Sequence, residues 1–147
     1  MKNDVPVMTR LEDYRPYGFV ISRVLLDFDL YPEATIVRSN LYVMRDGADA
    51  DLVLDGEDIK LLGVKIDDKP VAKSRLKQTK TGLTIKNVPD TFTLELTTQC
   101  APKDNKALMG LYVSGGRFCT QCEAQGFRRI TYFPDRPDVL SKYTVRM

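Results

Sequence analysis

Turn-forming residues interrupt this sequence at intervals that are too short for ordinary helices. It has 9 glycines and 8 prolines among its 147 residues, and no window shows helical periodicity over the roughly 11–12 residues of an average helix. Between the interruptions, residues alternate with the short period that is typical of half-buried strands. The alternation is clearest where Val24, Leu26 and Phe28 are interleaved with Asp27 and Asp29. The sequence therefore predicts an all-β fold, a sandwich of antiparallel sheets with little or no helix.

The turn signals also divide the chain into predicted elements. Pro32 lies between the first strand and the second, and Asp46-Gly47 has the turn chemistry that closes a hairpin. The strands after the first are predicted at 35–44, 52–54, 59–66, 82–86 and 92–97. One short turn of helix is predicted over 136–141, because Pro137 lies near its start. Residues 1–16, with scattered charges and two prolines, are predicted to form a flexible arm, and residues 17–147 the domain.

Composition and charge argue against several classes of partner. A net charge of +2 gives no reason to expect binding to nucleic acid or to an anionic membrane. No apolar run approaches the roughly 20 residues that span a bilayer, and the N-terminal residues lack the apolar core of a signal peptide. Three cysteines without a secretory signal favour reduced thiols. We therefore expect a cytoplasmic protein whose partners are neither nucleic acid nor membrane.

The stretch from 65 to 86 is strongly basic and is the main reason to consider nucleic acid. Its cations are Lys65, Lys69, Lys73, Arg75, Lys77, Lys80 and Lys86. No aromatic residues are interleaved among them, so bases would have no stacking platform. The pattern favours instead a solvent-facing hairpin whose lysines discourage pairing between the edges of sheets.

A polar stretch over 119–138 holds the candidate binding residues. Gln121 and Glu123 are so spaced that in an extended backbone both side chains point to the same side. A carboxylate and an amide aimed at one point can hold a protonated amine. Peptide N-termini, whose reference pKa is about 7.7–8.0, are largely protonated near neutral pH. The alternative is that Glu123 pairs with Arg128 or Arg129 on a loop, and spacing alone leaves both interpretations open.

The last part of the chain carries an excess of positive charge. Over 117–146, six basic residues outnumber three acidic ones, an excess of +3. The basic residues are Arg117, Arg128, Arg129, Arg136, Lys142 and Arg146. Nearby cations favour the ionised form of a carboxyl group, so this excess is expected to help keep Glu123 charged. Contact of some of these arginines with another domain is the open alternative.

The Gln121-x-Glu123 spacing resembles the substrate-amine loop of the zinc aminopeptidases of the M1 family, in its bacterial aminopeptidase N branch. The likeness extends in the same order to 17–31, to the turn at 54–58 and to 110–145, so it covers nearly the whole chain. It implies the β-rich, saddle-like N-terminal domain of these enzymes. It also implies that Glu123 binds the α-ammonium of a peptide N-terminus, that Gln121 assists, and that the domain lines the active-site cavity. The aromatic turn that begins at Tyr132 also resembles the family's turn, and we expect it to be structural.

The residues that hold the family's zinc are absent from this sequence. It has no histidine, and therefore no His-Glu-x-x-His motif, and it lacks the family's Gly-x-Met-Glu-Asn segment. The resemblance implies that Zn²⁺ belongs to the full-length parent, a metallo-aminopeptidase, while this chain holds no catalytic residue and no metal and is inactive alone. Because 142–147 stop within a strand-like alternation, we expect a chain truncated before its natural end and before its partner, the catalytic domain. An unpaired sheet edge and self-association are the expected consequences.

Two other functions stay open at this point. A free-standing β-sandwich could bind a protein or a glycan without catalysis. The Cys119-x-x-Cys122 pair together with Cys100 could form a redox or metal site. Against this, no α/β pattern surrounds the pair, and a structural zinc needs more ligands than three cysteines supply. Such cysteines are more often small, mostly buried hydrophobic residues.

Overall fold

The computed structural model of the chain describes residues 10–47 and 50–147. Most of the regular structure is strand. The strands are β1 Phe19–Asp29, β2 Thr35–Arg45, β3 Leu52–Asp55, β4 Lys60–Ile66, β5 Lys69–Pro70, β6 Leu76–Gln78, β7 Gly82–Ile85, β8 Thr91–Cys100, β9 Gly110–Ser114, β10 Arg117–Gln121 and β11 Lys142–Arg146. In these ranges helical structure is confined to short 3₁₀ turns at Leu11–Asp13, Lys73–Arg75, Pro102–Asp104 and Phe127–Arg129. None of these turns has the length or the apolar character that crossing a membrane requires.

The strands form three sheets in the described part of the chain. The largest has six strands in the order β11-β1-β2-β8-β4-β5, the second has three in the order β3-β7-β6, and the third is the β9-β10 hairpin. Paired strands are antiparallel, except that β1 and β11 run parallel. The predicted all-β fold with little helix is confirmed, and the parallel pair at one edge departs from the purely antiparallel arrangement that we expected.

A bulge in β1 explains how this strand keeps apolar residues on its core side along its length. Phe19 and Ile21 are buried before the bulge, and Val24 and Leu26 are buried after it, so the inward positions change from odd to even numbers. The register of β1 against β2 shifts between Ile21 and Arg23, which allows this change. A β-bulge provides the extra residue that such a shift needs. The apolar core therefore stays continuous under the first strand.

Most predicted strands agree with the structure, and the predicted helical turn does not. The segments predicted at 35–44, 52–54, 59–66, 82–86 and 92–97 correspond to β2, β3, β4, β7 and β8. Between Arg136 and Val139 the chain forms one hydrogen-bonded turn, in which the Val139 amide donates to the Arg136 carbonyl at 3.2 Å, and no helix follows. A single bond of this kind does not start a helix, because nucleation fixes several residues for each bond that it forms.

The basic stretch of 65–86 reaches the edges of two sheets. Lys69 is in β5, at one edge of the six-stranded sheet, and Lys77 is in β6, at one edge of the three-stranded sheet. Both lysines are exposed. These positions agree with the interpretation that the lysines face solvent and discourage pairing between edges.

The predicted N-terminal arm lies partly outside the described residues. From residue 10 to residue 16 the chain is exposed. The Tyr14 hydroxyl donates to Asp138 at 3.0 Å, and Arg136 donates to the Arg15 carbonyl at 2.8 Å. These contacts attach the end of the arm to the segment before β11. The flexibility of the arm and the domain boundary at residue 17 stay predictions.

Buried hydroxyl groups fasten the segment after β10 to the six-stranded sheet. The Thr131 hydroxyl lies 3.0 Å from the Ser39 hydroxyl, which projects from β2. The Thr98 hydroxyl, on β8, donates to the Ile130 carbonyl at 3.1 Å. Ser39, Thr98 and Thr131 are all buried. The large sheet therefore serves as a rigid base for the polar stretch that the sequence singles out.

Candidate functional site

The candidate site begins where the β9-β10 hairpin ends. Gln121, the last residue of β10, is paired with Gly110 at the start of β9. The chain then turns through residues 122–126, which we call the Glu123 loop, and enters the 3₁₀ turn at Phe127–Arg129. The two ends of the loop are therefore fixed, one by the hairpin and the other by a turn that is anchored to the large sheet.

Gly126 makes this loop compact. Its amide donates to the Cys122 carbonyl at 2.7 Å, and its own carbonyl accepts a bond from the Arg129 amide at 3.1 Å. A Cβ at position 126 would lie 2.3 Å from the Gln121 carbonyl oxygen and 2.8 Å from the Cys122 Cα. Glycine permits this close approach of one backbone to another, and a residue with a side chain does not.

Gln121 and Glu123 are both exposed, and a hydrogen bond joins them. The Gln121 Nε2 donates to the backbone carbonyl of Glu123 at 3.0 Å, which leaves the side-chain oxygen of Gln121 able to accept a bond from a ligand. The strand ends at Gln121 and Glu123 lies in a turn, so our expectation of an extended backbone through both residues is wrong. The two residues are adjacent because of the hydrogen bond rather than because of strand periodicity.

The Glu123 carboxylate makes no hydrogen bond or ion pair with any other residue that the structure describes. Its peptide bond to Ala124 is cis. The alternative interpretation requires Arg128 or Arg129 as its partner, and both of these arginines bind other carboxylates. A surface carboxylate without such a partner is able to accept hydrogen bonds from a cation, and charge-assisted bonds of this kind are about twice as strong as neutral ones.

Arg128 is bound to the segment that leads towards β11. Its Nε donates to the Asp135 carboxylate at 3.0 Å, and its Nη2 donates to the Asp135 backbone carbonyl at 3.0 Å. Its Nη1 also lies 3.7 Å from the carboxylate of Asp55, at the end of β3. Only 17% of the Arg128 side chain and 15% of the Asp135 side chain are exposed, so solvent screens this pair weakly.

Arg129 binds the turn between β3 and β4. Its guanidinium donates to Glu57 and to Asp58, which lie 72 and 71 residues away in the sequence. No local sequence pattern predicted a role for these two acids. The sequence signal that could have revealed this contact is the complementary charge of an acidic turn and two consecutive arginines. Their spacing in the sequence does not show that they are in contact.

The predicted surplus of positive charge near Glu123 is largely neutralised. Several of the neutralising acids lie outside residues 117–146: they come from β1, from the end of β3 and from the turn after β3. Four of the six basic residues are paired with acids, namely Arg128, Arg129, Arg136 and Arg146. Most of the surplus positive charge is therefore paired with acids other than Glu123.

Aromatic rings pack beside the loop. Phe127 contacts Phe133 edge-on, with 5.2 Å between ring centroids, and contacts Tyr143 of β11 at 5.9 Å. Tyr132 is buried, and its ring covers Gly56, where a Cβ would lie 2.2 Å from a ring carbon. This packing agrees with the structural role that we expected of the aromatic turn.

The three cysteines are free thiols. Burial raises the pKa of Cys100 to about 11, and burial, with a smaller contribution from Asp135, also raises the pKa of Cys122. Reactive and metal-binding cysteines have lowered pKa values, so these shifts are opposite to the ones that redox chemistry needs. Within the described ranges, no three Cys, Asp or Glu side chains are grouped as metal ligands.

The fold and this loop define an all-β domain that presents a carboxylate and an amide oxygen to solvent, and comparison with known proteins places that domain in a family. The model of the Peptidase M1 N-terminal domain matches residues 25–147. Aminopeptidase N from Caulobacter vibrioides is 52% identical over 148 residues, which cover 100% of this chain and 17% of that protein. The chain belongs to the M1 peptidase family and corresponds to its N-terminal domain, so the predicted resemblance is confirmed.

Solved structures lead to the same family. A crystal structure of Legionella pneumophila aminopeptidase A in complex with aspartic acid is 34% identical, has a TM-score of 0.85, and is matched over 93% of this chain and 17% of that one. An M1 zinc metallopeptidase from Deinococcus radiodurans bound to a Tyr-Ser-Ala substrate shares the fold, with 19% identity, a TM-score of 0.73 and a match over 87% of this chain and 32% of that one. This chain therefore spans less than a third of the length of these relatives.

Proposed function

We propose that this chain is the part of a zinc-dependent aminopeptidase that binds the α-ammonium of the substrate and lines the active-site cavity. Glu123 accepts hydrogen bonds from the ammonium, and the side-chain oxygen of Gln121 accepts another. The observation that carries this proposal is the Glu123 carboxylate, which is exposed at the tip of an anchored loop and has no partner within the described residues.

A site of this kind measures a peptide from its end. Only a free N-terminus has the ammonium group, so a peptide bond in the middle of a chain cannot take the same position. Holding the ammonium at a fixed point places the first peptide bond in register with the groups that cleave it, which lowers the entropic part of the barrier. This chain's own residues bind and orient the substrate, and bond cleavage belongs to another domain.

The residues present here do not fit a zinc site. The chain has no histidine, and its described side chains form no group of three Cys, Asp or Glu that could hold a metal. M1 peptidases are zinc metallopeptidases, as the names of solved relatives state. We therefore assign the zinc and the general base of the proposed enzyme to a catalytic domain outside this chain, which is also its proposed partner.

The other functions considered have less support. The chain matches an aminopeptidase along its whole length, which favours a peptidase domain over a free-standing module for a protein or a glycan. The raised pKa values of Cys100 and Cys122 argue against a redox centre. Free thiols are typical of a reducing compartment, and they support the proposal that the protein is cytoplasmic.

Replacement of Glu123 in the full-length protein that carries this domain tests the proposal. Glu123→Ala and Glu123→Gln should lower kcat/KM for alanine p-nitroanilide by about 100-fold, because the ammonium loses its charged partner and the substrate its register. Zinc content should be unchanged. Glu33→Gln is the matched control, since Glu33 is an exposed glutamate that pairs with Lys103 and with no residue of the Glu123 loop. Loss of zinc from the Glu123 variants, or kinetics like those of the control, would contradict the proposal.

A further inference from the structure

The 3₁₀ turn that follows the Glu123 loop is held by four hydrogen bonds of Arg128, through its side chain and its backbone. Its backbone amide donates to the Asp135 carboxylate at 3.1 Å, in addition to the two bonds from its guanidinium. Its backbone carbonyl accepts a bond from the Glu57 amide at 3.0 Å. We call Arg128, Asp135, Asp55 and the Glu57 amide the Arg128 clamp.

The clamp connects two distant parts of the chain. The Asp55 carboxylate accepts a bond from the Asp135 amide at 3.0 Å and also lies 3.7 Å from the Arg128 guanidinium. The Asp55 and Phe133 backbones exchange two hydrogen bonds, at 2.9 and 3.1 Å. Because β3 lies in the three-stranded sheet, the clamp fixes the segment after the Glu123 loop to that sheet.

The orientation of Glu123 depends on such backbone anchors. Its carboxylate has no side-chain partner among the described residues, so nothing at its own end holds it in place. The Gln121 side chain donates to the Glu123 backbone carbonyl, and the Gly126 amide donates to the carbonyl of Cys122, the residue before Glu123. Gly126 is in turn bonded to the turn that contains Arg128, since its carbonyl accepts the Arg129 amide. Movement of that turn therefore moves the loop.

We propose that Arg128 is a positioning residue for ammonium binding, because the Arg128 clamp holds the Glu123 loop at the place where the carboxylate meets the substrate. This inference rests on the proposed function of Glu123. Arg128 does not touch the substrate. It acts through the backbone of the loop, so its effect requires that Glu123 be present.

Two inhibitors that differ only in the amine measure the effect of Arg128 on ammonium binding in the full-length protein. Alanine hydroxamate carries the α-ammonium, and propionohydroxamic acid lacks it. The ratio of their inhibition constants therefore isolates the contribution of the ammonium from that of the shared hydroxamate. In the unaltered protein the amine-bearing compound should bind more tightly, and Glu123→Ala should remove most of that preference.

Arg128→Lys should lower the preference on the order of 10-fold, since lysine keeps the charge but lacks the planar fork that bonds several oxygens at once. Asp135→Asn removes the partner's charge with little change of shape and should act in the same direction. Arg38→Lys is the control, because Arg38 forms its ion pair with Asp29 on the six-stranded sheet. Thermal unfolding and zinc content of each variant verify that the protein is folded.

The double variant Glu123→Ala with Arg128→Lys decides whether the arginine acts through the carboxylate. We expect the same ratio as for Glu123→Ala alone. The inference is overturned if Arg128→Lys weakens both inhibitors equally, if the two substitutions add in the double variant, or if Arg38→Lys has the same effect. If Glu123→Ala leaves the ratio of inhibition constants unchanged, the proposed function of Glu123 itself is refuted. Failure of the inference about Arg128 and failure of the proposed function are therefore distinguishable.

Discussion

The carbonyl oxygen of Gln121 faces Gly126 so closely that a Cβ on residue 126 would lie 2.3 Å from it. The same Cβ would be 3.1 Å from the Gly110 amide nitrogen, on the neighbouring strand of the hairpin. The Glu123 loop therefore returns to the end of its own hairpin, and the contact is between backbone atoms that cannot rotate away. The position of the candidate carboxylate depends on the absence of one methyl group.

Gly126→Ala should consequently destabilise the chain. Overpacking against backbone costs about 1–3 kcal/mol, and the loop must move to relieve it. Gly18→Ala is the matched control, because a Cβ at position 18 meets nothing within 4 Å, and a substitution of that kind changes stability by less than about 1 kcal/mol. Urea denaturation of the two variants measures the difference. Equal stability would show that the loop adapts to the side chain at no cost.

The strands that could be predicted from the sequence are those in which buried and exposed residues alternate. The second strand is predicted at 35–44 and occurs at Thr35–Arg45, because buried residues alternate with exposed ones along its length. The β9-β10 hairpin was not predicted, and in β10 only Cys119 is even partly buried. A strand that faces solvent on both sides has no alternation to detect, so only its pairing partner reveals it.

The sequence indicated that Gln121 and Glu123 lie close together, but not which residues surround them. The short spacing of Gln121 and Glu123 is local, and so their proximity follows from the sequence. The partners of Arg129 lie 71 and 72 residues away, and contacts at such separations depend on the packing of sheets that no local pattern specifies. The sequence therefore left open whether Glu123 was paired with an arginine. In the structure Arg128 binds Asp135, and Arg129 binds the acids of the β3-β4 turn.

The buried contact between Ser39 and Thr131 should show strong non-additivity. Ser39→Ala leaves the Thr131 hydroxyl, which is fully buried and 3.0 Å from its partner, without that bond. An unsatisfied buried hydroxyl costs about 1–3 kcal/mol. Adding Thr131→Val to Ser39→Ala should recover part of this loss, because the second polar group is then removed as well. A double-mutant cycle in urea measures the coupling, and simple addition of the two losses would contradict the expectation.

The thiol of Cys100 should make stability depend on pH in the alkaline range. Burial raises its pKa from 9.0 to about 11 in the folded chain, so above pH 9 the unfolded chain loses this proton before the folded one does. The contribution is fully present below pH 9 and is lost as the pH rises through about 11. It amounts to at most about 2–3 kcal/mol.

Comparison with Cys100→Ala isolates this contribution from that of the tyrosines, which titrate in the same range. The variant should show a shallower fall in unfolding free energy between pH 9 and pH 11 than the unaltered chain, whatever its stability at neutral pH. Urea titrations at several pH values provide the slopes. Parallel curves for the two proteins would show that the folded and unfolded thiols titrate alike.

The free side of β11 should promote self-association of the isolated chain. β11 pairs with β1 on one side and ends the six-stranded sheet, and no other described strand pairs with it. All five of its residues are exposed, including Tyr143 at 46% and Val145 at 49%. An edge with unpaired amides and carbonyls and apolar side chains is a template for another strand. Sedimentation velocity at increasing concentration should therefore detect dimers or larger species.

Val145→Lys should suppress this association, because a charged side chain on an edge strand opposes pairing with a second copy. Met44→Lys is the matched control, since Met44 is 51% exposed but lies on β2, in the interior of the same sheet. The control removes a similar area of exposed apolar surface without changing the edge. If both substitutions reduce association equally, exposed apolar surface rather than the strand edge drives the association. If the unaltered chain stays monomeric at high concentration, the prediction that the β11 edge promotes self-association is wrong.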